Sequence, residues 1–544
     1  MTTVERPNAI NDPVVAGLAR GWKVVDGGNL NLSQQIECDV AVIGTGAGGG
    51  VTADLLSRAG LAVVLIEEGP LKSSRDFKMR EAEAYPSLYW DSAARKTKDK
   101  AINILQGRAV GGSTTVNWTS SFRTPPATLA YWRQQFGLDD YTPESLDPHF
   151  ASAEVRFGIK PWLTAPNANN DVLKKGATAL GIPVGTIRRN VEGCWNLGYC
   201  GMGCPTNAKQ SMLVTTVPAA LDRGARLYTG TRALRFEFTG NRVARLICGA
   251  LAYDGLTPTR NTISIRARHF VLAGGAINSP ALLLRSDAPD PYRRLGLRTF
   301  LHPTLISAAL FESRVDGHEG APQSVYSDHF LERDPIDGPL GFKLEVPPLH
   351  PVLFASTLHG FGAIHAALMR QFARTHVQIA LLRDGFHPES RGGSVGLNSD
   401  GTPVLDYPLT PVIWEGARRA LLAMAEIQFA AGAKVVYPVH EQAEGYATLA
   451  AARAAIAELP LRPLATRVVS AHVMGGCGMA ADERRGVVDR HGRHFQIDNL
   501  SVFDGSIFPT SIGANPQLSI YGIVGKLAGE LAAQLSGSSA PVLA

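Results

Sequence analysis

An apolar run, Val40–Ile43, enters the glycine pattern Gly44-x-Gly46-x-x-Gly49, and a helix-period segment follows at once. A second apolar run, Ala62–Ile66, ends in acid at Glu67, 23 positions after Gly44. Few arrangements accommodate this order. A strand feeding a tight turn, a helix and a second strand is a βαβ unit, and such units build parallel sheets. Gly44 permits the turn, Gly46 lets backbone approach a pyrophosphate, and Gly49 lets the helix pack on the strand. The helix N-terminus then presents free N–H groups and the positive end of its dipole to phosphates. Glu67, at the end of the second strand, suits the ribose hydroxyls of adenosine, with Glu68 as the neighbouring alternative. Alone, such a turn is weak evidence; between two strands and a helix it reads as a dinucleotide site.

The remainder of the chain narrows the reading. The segments GRAVGGSTTVNWTSSFR (107–123), AGGAINSPALLLRS (273–286) and HVMGGCGM with LSVFDGSIFPTSIGANPQLSIYGIVGKLA near the C-terminus resemble the glucose–methanol–choline oxidoreductases. In character the chain is closest to the long-chain alcohol oxidases and dehydrogenases of that family and to the flavin subunits of bacterial sugar dehydrogenases. The likeness covers residues 36–124, 190–290 and 465 onward; 300–465 matches only in general shape. The resemblance implies FAD and an α/β plus α+β architecture. In it, a Rossmann-like FAD-binding domain of discontinuous segments is joined to a substrate domain on an antiparallel sheet. The expected divisions are an N-terminal extension (1–35), a first FAD-binding part (36–124), a substrate-side or lid segment (125–190), a second FAD-binding part (191–300), the substrate domain (301–464) and a C-terminal FAD-binding part (465–544).

Each matching residue also has a physical reading. Gly111-Gly112-Ser113 brings backbone N–H groups close to the isoalloxazine, or forms a plain turn. Asn117 suits the flavin edge or a phosphate. Asp504-Gly505 suits ribityl and pyrophosphate contacts, or caps a helix. Pro516-Gln517 stands beside them at the same site. The resemblance implies that His472, opening the HVMGGC segment, faces flavin N5, and that Asn515, 43 residues on, completes the pair. A histidine titrating near neutrality suits the base that takes an alcohol's proton while hydride leaves for the flavin. An amide suits the developing charge on oxygen. Many relatives have proline after this histidine; here it is Val473.

Three of the six cysteines, Cys194, Cys200 and Cys204, fall within eleven residues and precede Pro205. That spacing is similar to the three-iron site, [3Fe-4S], of some flavin sugar dehydrogenase subunits, although long-chain alcohol oxidases carry a comparable segment for which no cluster is implied. The function expected is FAD-dependent oxidation of an alcohol, CH–OH to carbonyl, on a bulky or hydrophobic substrate. A dehydrogenase passing electrons to an acceptor protein or quinone is preferred because of the cysteines. An oxidase making hydrogen peroxide, and a lyase or photoenzyme on the same fold, are the alternatives. The apolar stretch 341–369, with its interspersed histidines, is a candidate pocket wall.

Composition mainly excludes. A net charge of +5 spread over 544 residues gives no stripe for nucleic acid. No run is apolar for long enough to span a bilayer. The start MTTVERPNAINDP lacks an export signature, so the expectation is a cytoplasmic protein by default, with export beside a signal-bearing partner left open. From about 76 to 170 the chain reads as irregular, and Ser399-Asp400-Gly401 as a hairpin turn.

Overall fold

The computed structural model describes residues 10–543; the first nine residues of the expected N-terminal extension lie outside them. The first sheet is organised by the strand Gln34–Ile43, whose last four residues are buried on both faces. It pairs in parallel with Val63–Ile66 on one side and with the long strand Pro258–Leu272 on the other. Eight strands join in the order 23–26, 226–229, 63–66, 34–43, 258–272, 242–251, 231–239, and Leu500–Val502 also pairs with 258–272. The centre is parallel, as βαβ crossovers require. The far edge is antiparallel, where 242–251 lies between 231–239 and 258–272. The strand Lys23–Asp26 pairs with Arg226–Thr229 at the other edge. The sheet is therefore assembled from pieces far apart in sequence.

Helix Ala47–Arg58 crosses this sheet, and the final helix Gln517–Ser536 packs against it and against Pro143–Arg156. Three successive glycines, Gly48, Gly49 and Gly50, disfavour a helix by about 1 kcal/mol each relative to alanine. They persist because the space beside them is filled, by backbone at Gly48 and Gly49 and by the Met212 and Thr216 side chains at Gly50. A Cβ on Gly48 would lie 1.7 Å from the Phe503 carbonyl oxygen, and one on Gly49 would lie 1.9 Å from that of Gly44.

A second sheet of nine strands takes the order 95–96, 102–104, 468–470, 304–310, 375–382, 342–345, 325–327, 185–186, with 435–438 also on 304–310. Most of its pairings are antiparallel, and helix Pro411–Ala430 covers it with Ala168–Ala179 alongside. The hairpin expected at Ser399–Gly401 is present between Gly393–Leu397 and Pro403–Asp406. Among the described residues no helix is long and apolar enough to cross a membrane.

Two expectations need correction. The chain from 76 to 125 is irregular apart from helix Glu81–Leu88 and short turns and strands, but residues 126–156 are mostly helical, in Pro126–Phe136 and Pro143–Arg156, and Ala168–Ala179 begins a further helix. Their prolines suggest irregular chain, yet Pro126 and Pro143 stand in the first turn, where the missing N–H has no helical partner to lose. Thr142 and Ser145 add a reciprocal cap. The second correction concerns 341–369. Only its first strand, Phe342–Glu345, lies against the candidate site. The helices Pro351–Thr357 and Gly362–Met369 face outward, with Phe361 90% and Ile364 69% exposed.

Candidate active site

A single cavity of about 1150 Å³ runs from the Gly44–Gly46 turn to His472 and Asn515. At its first end Gly44 has φ +101°, and a Cβ there would lie 2.3 Å from the Ala273 carbonyl oxygen. Gly46 is different. A Cβ on it would meet nothing closer than the Gly112 Cα, at 3.7 Å, so its face opens on the cavity below the helix N-terminus. Gly111 and Gly112 both take positive φ, and a Cβ on Gly112 would come within 2.7 Å of Gly46 Cα. The two glycine turns thus meet backbone to backbone. The Gly111 amide donates to Thr45 Oγ1 at 3.0 Å.

Glu67 lines this end, buried at its strand terminus. Its Oε2 accepts from the Thr45 amide (3.1 Å) and hydroxyl (2.6 Å), and its Oε1 from the Gly69 amide (2.9 Å). Burial pushes its pKa up against these bonds. Glu68 instead forms ion pairs with Arg108 (3.0 Å) and Arg232 (2.8 Å), which separates the two acids: Glu67 is fixed by neutral donors, while Glu68 is neutralised.

The middle residues hold one another. Ser113 Oγ accepts from the Gly107 amide at 3.0 Å. Asn117 Nδ2 donates to Gln517 Oε1 at 2.6 Å, and Gln517 Nε2 donates to Ser120 O, Ser121 Oγ and Asn190 Oδ1. Gln517 is therefore a brace between the final helix and the loop after Asn117. Asp504 accepts from the Gly275 amide, Ser279 Oγ and the Ser506 amide. Its carboxylate sits at the N-terminus of helix Gly275–Arg285, where a negative charge is favoured, so the capping alternative is met in the structure. Gly505 and Pro516 line the cavity beside it.

At the other end His472 follows the strand Val468–Ser470 and opens on the cavity. Burial, with Lys343 pushing the same way, lowers its pKa to about 4, so the ring is neutral at pH 7. Its Nδ1 lies 3.3 Å from Nδ1 of His302, with the rings edge to face. The buried His302 Nε2 accepts the Gly513 amide N–H at 3.1 Å. The Asp384 carboxylate holds the Leu301 and His302 amides. Asn515 Nδ2 donates to Glu345 Oε2 at 3.2 Å, while Asn515 Oδ1 and Glu345 Oε1 are buried without partners. Glu345 has its pKa raised by burial to about 7, opposed by Lys343. Lys343 Nζ is buried 3.2 Å from Asp328 Oδ1 and lies over the Phe122 ring.

Sequence reasoning brings forward His472 and Asn515 but misses His302, Glu345 and Lys343. A signal for two of them existed. In Phe342-Lys343-Leu344-Glu345-Val346 two charges alternate with apolar residues in a strand that is buried throughout, and buried charges of this kind are rare away from functional sites.

The three cysteines lie near one another, Cys200 and Cys204 adding to the burial that raises the Cys194 pKa, but each thiol has its own polar neighbour. Cys194 Sγ accepts from the Asn196 amide, Cys200 Sγ from Arg189, and Cys204 Sγ lies 3.4 Å from Thr206 Oγ1. Among the described residues no three His, Cys, Asp or Glu side chains are placed to hold a metal ion. Nothing in this arrangement supports the expected iron–sulfur cluster. Purified protein is expected to contain iron and acid-labile sulfide far below its flavin content; iron stoichiometric with flavin would overturn this.

Family models described as GMC oxidoreductase match residues 66–304 and 388–523. A GMC-type oxidoreductase of Mycobacterium tuberculosis is 31% identical over 502 residues, spanning 92% of this chain and 76% of that protein. A long-chain-alcohol oxidase of Arabidopsis thaliana is 28% identical over 524 residues, 92% of this chain and 67% of its own length. Among solved structures, pyridoxine 4-oxidase from Mesorbium loti superposes with a TM-score of 0.65 at 20% identity, covering 91% of this chain and 99% of that one. Formate oxidase from Aspergillus oryzae gives 0.67 at 14% identity, covering 92% and 99%.

Proposed function

The chain belongs to the GMC oxidoreductase family, and from that membership we propose that it binds FAD along the cavity and oxidises an alcohol to a carbonyl compound. The observation that carries the reading is the cavity itself. A phosphate cradle at Gly46 and a buried acid at Glu67 stand at one end, and a neutral histidine and an amide at the other. The residues fit the cofactor: the open face of Gly46 beneath a helix N-terminus suits a pyrophosphate, and Glu67 suits adenosine ribose. Bound there, the flavin supplies an acceptor for hydride. Gly111, Gly112, Ser113 and Asn117 wall its middle, with Asp504, Gly505, Pro516 and Gln517 fixing the opposite wall.

His472 and Asn515 take the alcohol oxygen between them. The hydroxyl proton must pass to a base at this end, where His472 and Glu345 are the two groups that titrate between acid and neutral pH. The expected domain divisions are kept in this reading with the first sheet as the cofactor side and the second as the substrate side, except that Lys23–Asp26 of the N-terminal extension joins the first sheet, while Arg95–Lys96 and Ile102–Ile104 of the first FAD-binding part and Val468–Ser470 of the C-terminal one join the second.

The electron acceptor is read as oxygen. The arrangement of the cysteines gives no support to the cluster that favoured a dehydrogenase, and the relatives from Arabidopsis thaliana carry the name of long-chain-alcohol oxidases. The same name supports a long, apolar alcohol as substrate. Anaerobic addition of primary alcohols of increasing chain length is expected to bleach the flavin absorbance, most readily with the longer ones. In air, hydrogen peroxide should form at the rate of alcohol consumption. Turnover only with an added quinone or acceptor protein would restore the dehydrogenase, and no bleaching by any alcohol would favour a lyase or photoenzyme.

A further inference from the structure

We propose that the helical hairpin at 351–369 docks the protein on an anionic lipid surface, with Phe361 and Ile364 entering the acyl layer. Docking of this kind goes beyond alcohol oxidation and does not depend on it. From Val346 to Met369 the chain holds no Asp, Glu, Lys or Arg. A helix that is apolar on every side belongs in a core or in lipid. Here the helices Pro351–Thr357 and Gly362–Met369 use only one face against the second sheet. Phe354 is buried there, and Leu358, Met369 and the following Phe372 pack beside it. The outward face is apolar too. Val352 is 50% exposed, Phe361 90% and Ile364 69%, with Ala363, Ala366 and Ala367 exposed beside them. No residue of Gly362–Met369 is buried.

The polar groups of the hairpin are already satisfied without water. Ser356 Oγ and Thr357 Oγ1 donate to the Leu353 carbonyl at 2.9 and 2.7 Å. His365 Nε2 lies 3.0 Å from the Ala355 carbonyl oxygen, and His359 turns inward to the Val439 backbone. The Val352 and Leu353 amides, at the open end of the first helix, donate to the Glu81 carboxylate. Each polar side chain of the hairpin thus has a partner inside the protein, which removes most of the cost of leaving water.

Charge sets the sign of the surface. Arg370 and Arg374 follow the hairpin directly, are exposed, and join no ion pair among the described residues. At the other end, Arg80 precedes Glu81 and lines a second cavity of about 410 Å³ with Lys72, Arg75 and Lys78. Asp76 and Glu83 share that cavity and leave it net positive. Basic residues beside an apolar insertion are drawn to anionic headgroups. The shape of the tip favours a bilayer over a second copy of the chain. Gly360 and Gly362 both take positive φ, and a Cβ on Gly362 would meet nothing within 4 Å. Phe361 projects between them. A narrow tip suits insertion between lipids, whereas a standard protein interface spreads over about 800 Å² per partner.

Flotation of the purified protein with vesicles tests this, using phosphatidylcholine alone or mixed equally with phosphatidylglycerol. Binding is expected to the mixed vesicles, and it should weaken as salt is added. Phe361→Ser and Ile364→Ser should each weaken it about 10–100-fold. Arg370→Ser and Arg374→Ser should each weaken it about fivefold, on the anionic vesicles only. All four side chains are exposed, so melting temperature and flavin content should stay at wild-type values. Absence of binding to either vesicle overturns the proposal, as does binding that survives Phe361→Ser with Ile364→Ser. Equal binding to both vesicle types also overturns it, because the arginines would then play no part. A wild-type dimer that Phe361→Ser and Ile364→Ser dissociate would assign the face to a second copy instead.

Discussion

Gly48→Ala is expected to yield a protein that is less stable and purifies with flavin well below stoichiometric. The methyl group would lie 1.7 Å from the Phe503 carbonyl oxygen, 2.7 Å from its carbonyl carbon and 3.1 Å from Asp504 Cα. All three are backbone atoms, so no side chain can swing aside. Relief requires moving the segment after Leu500–Val502, and Asp504 in that segment holds the N-terminus of helix Gly275–Arg285. Overpacking a core by a methylene disfavours the fold by about 1–3 kcal/mol, and a backbone-to-backbone clash lies at or beyond the upper end. Gly46→Ala is the control. Its methyl meets only Gly112 Cα at 3.7 Å, so the melting temperature should hold while the pyrophosphate cradle is filled. Loss of flavin in both variants, with loss of stability only in Gly48→Ala, is the expected pattern. A Gly48→Ala protein as stable and as fully loaded as wild type would show that the helix and the Phe503 segment are not held this close.

That pair also marks how far the sequence reaches. Gly44, Gly46 and Gly49 are legible because their roles are local: strand, turn and helix lie within a few residues of one another. Gly48 is read only as a free position, since the backbone that crowds it arrives with Phe503, far along the chain. The same limit hides the contacts behind His472. Its partners His302 and Gly513 come from separate segments, and no spacing rule links them. The cysteines fail in the opposite sense. Nearness along the chain suggests a shared metal, but the loop from Cys194 to Cys204 gives each thiol its own neighbour. In the helices at 126–156 the prolines are visible but ambiguous, because proline both breaks helices and opens them.

His472→Ala is expected to slow flavin reduction by alcohol about 10²–10³-fold, the usual effect of removing one donor to a developing oxyanion, or about 2.7–4 kcal/mol. It also leaves the buried His302 Nδ1 without its His472 partner, a loss of about 1–3 kcal/mol in stability, so the melting temperature should fall while flavin is retained. His472→Gln separates the possible roles. A glutamine side chain can hydrogen-bond both His302 and the substrate oxygen. It cannot take up a proton. Recovery of much of the lost rate and stability in His472→Gln therefore fits a donor. A glutamine variant as slow as the alanine variant, at equal flavin content, would instead require that His472 itself receives the proton.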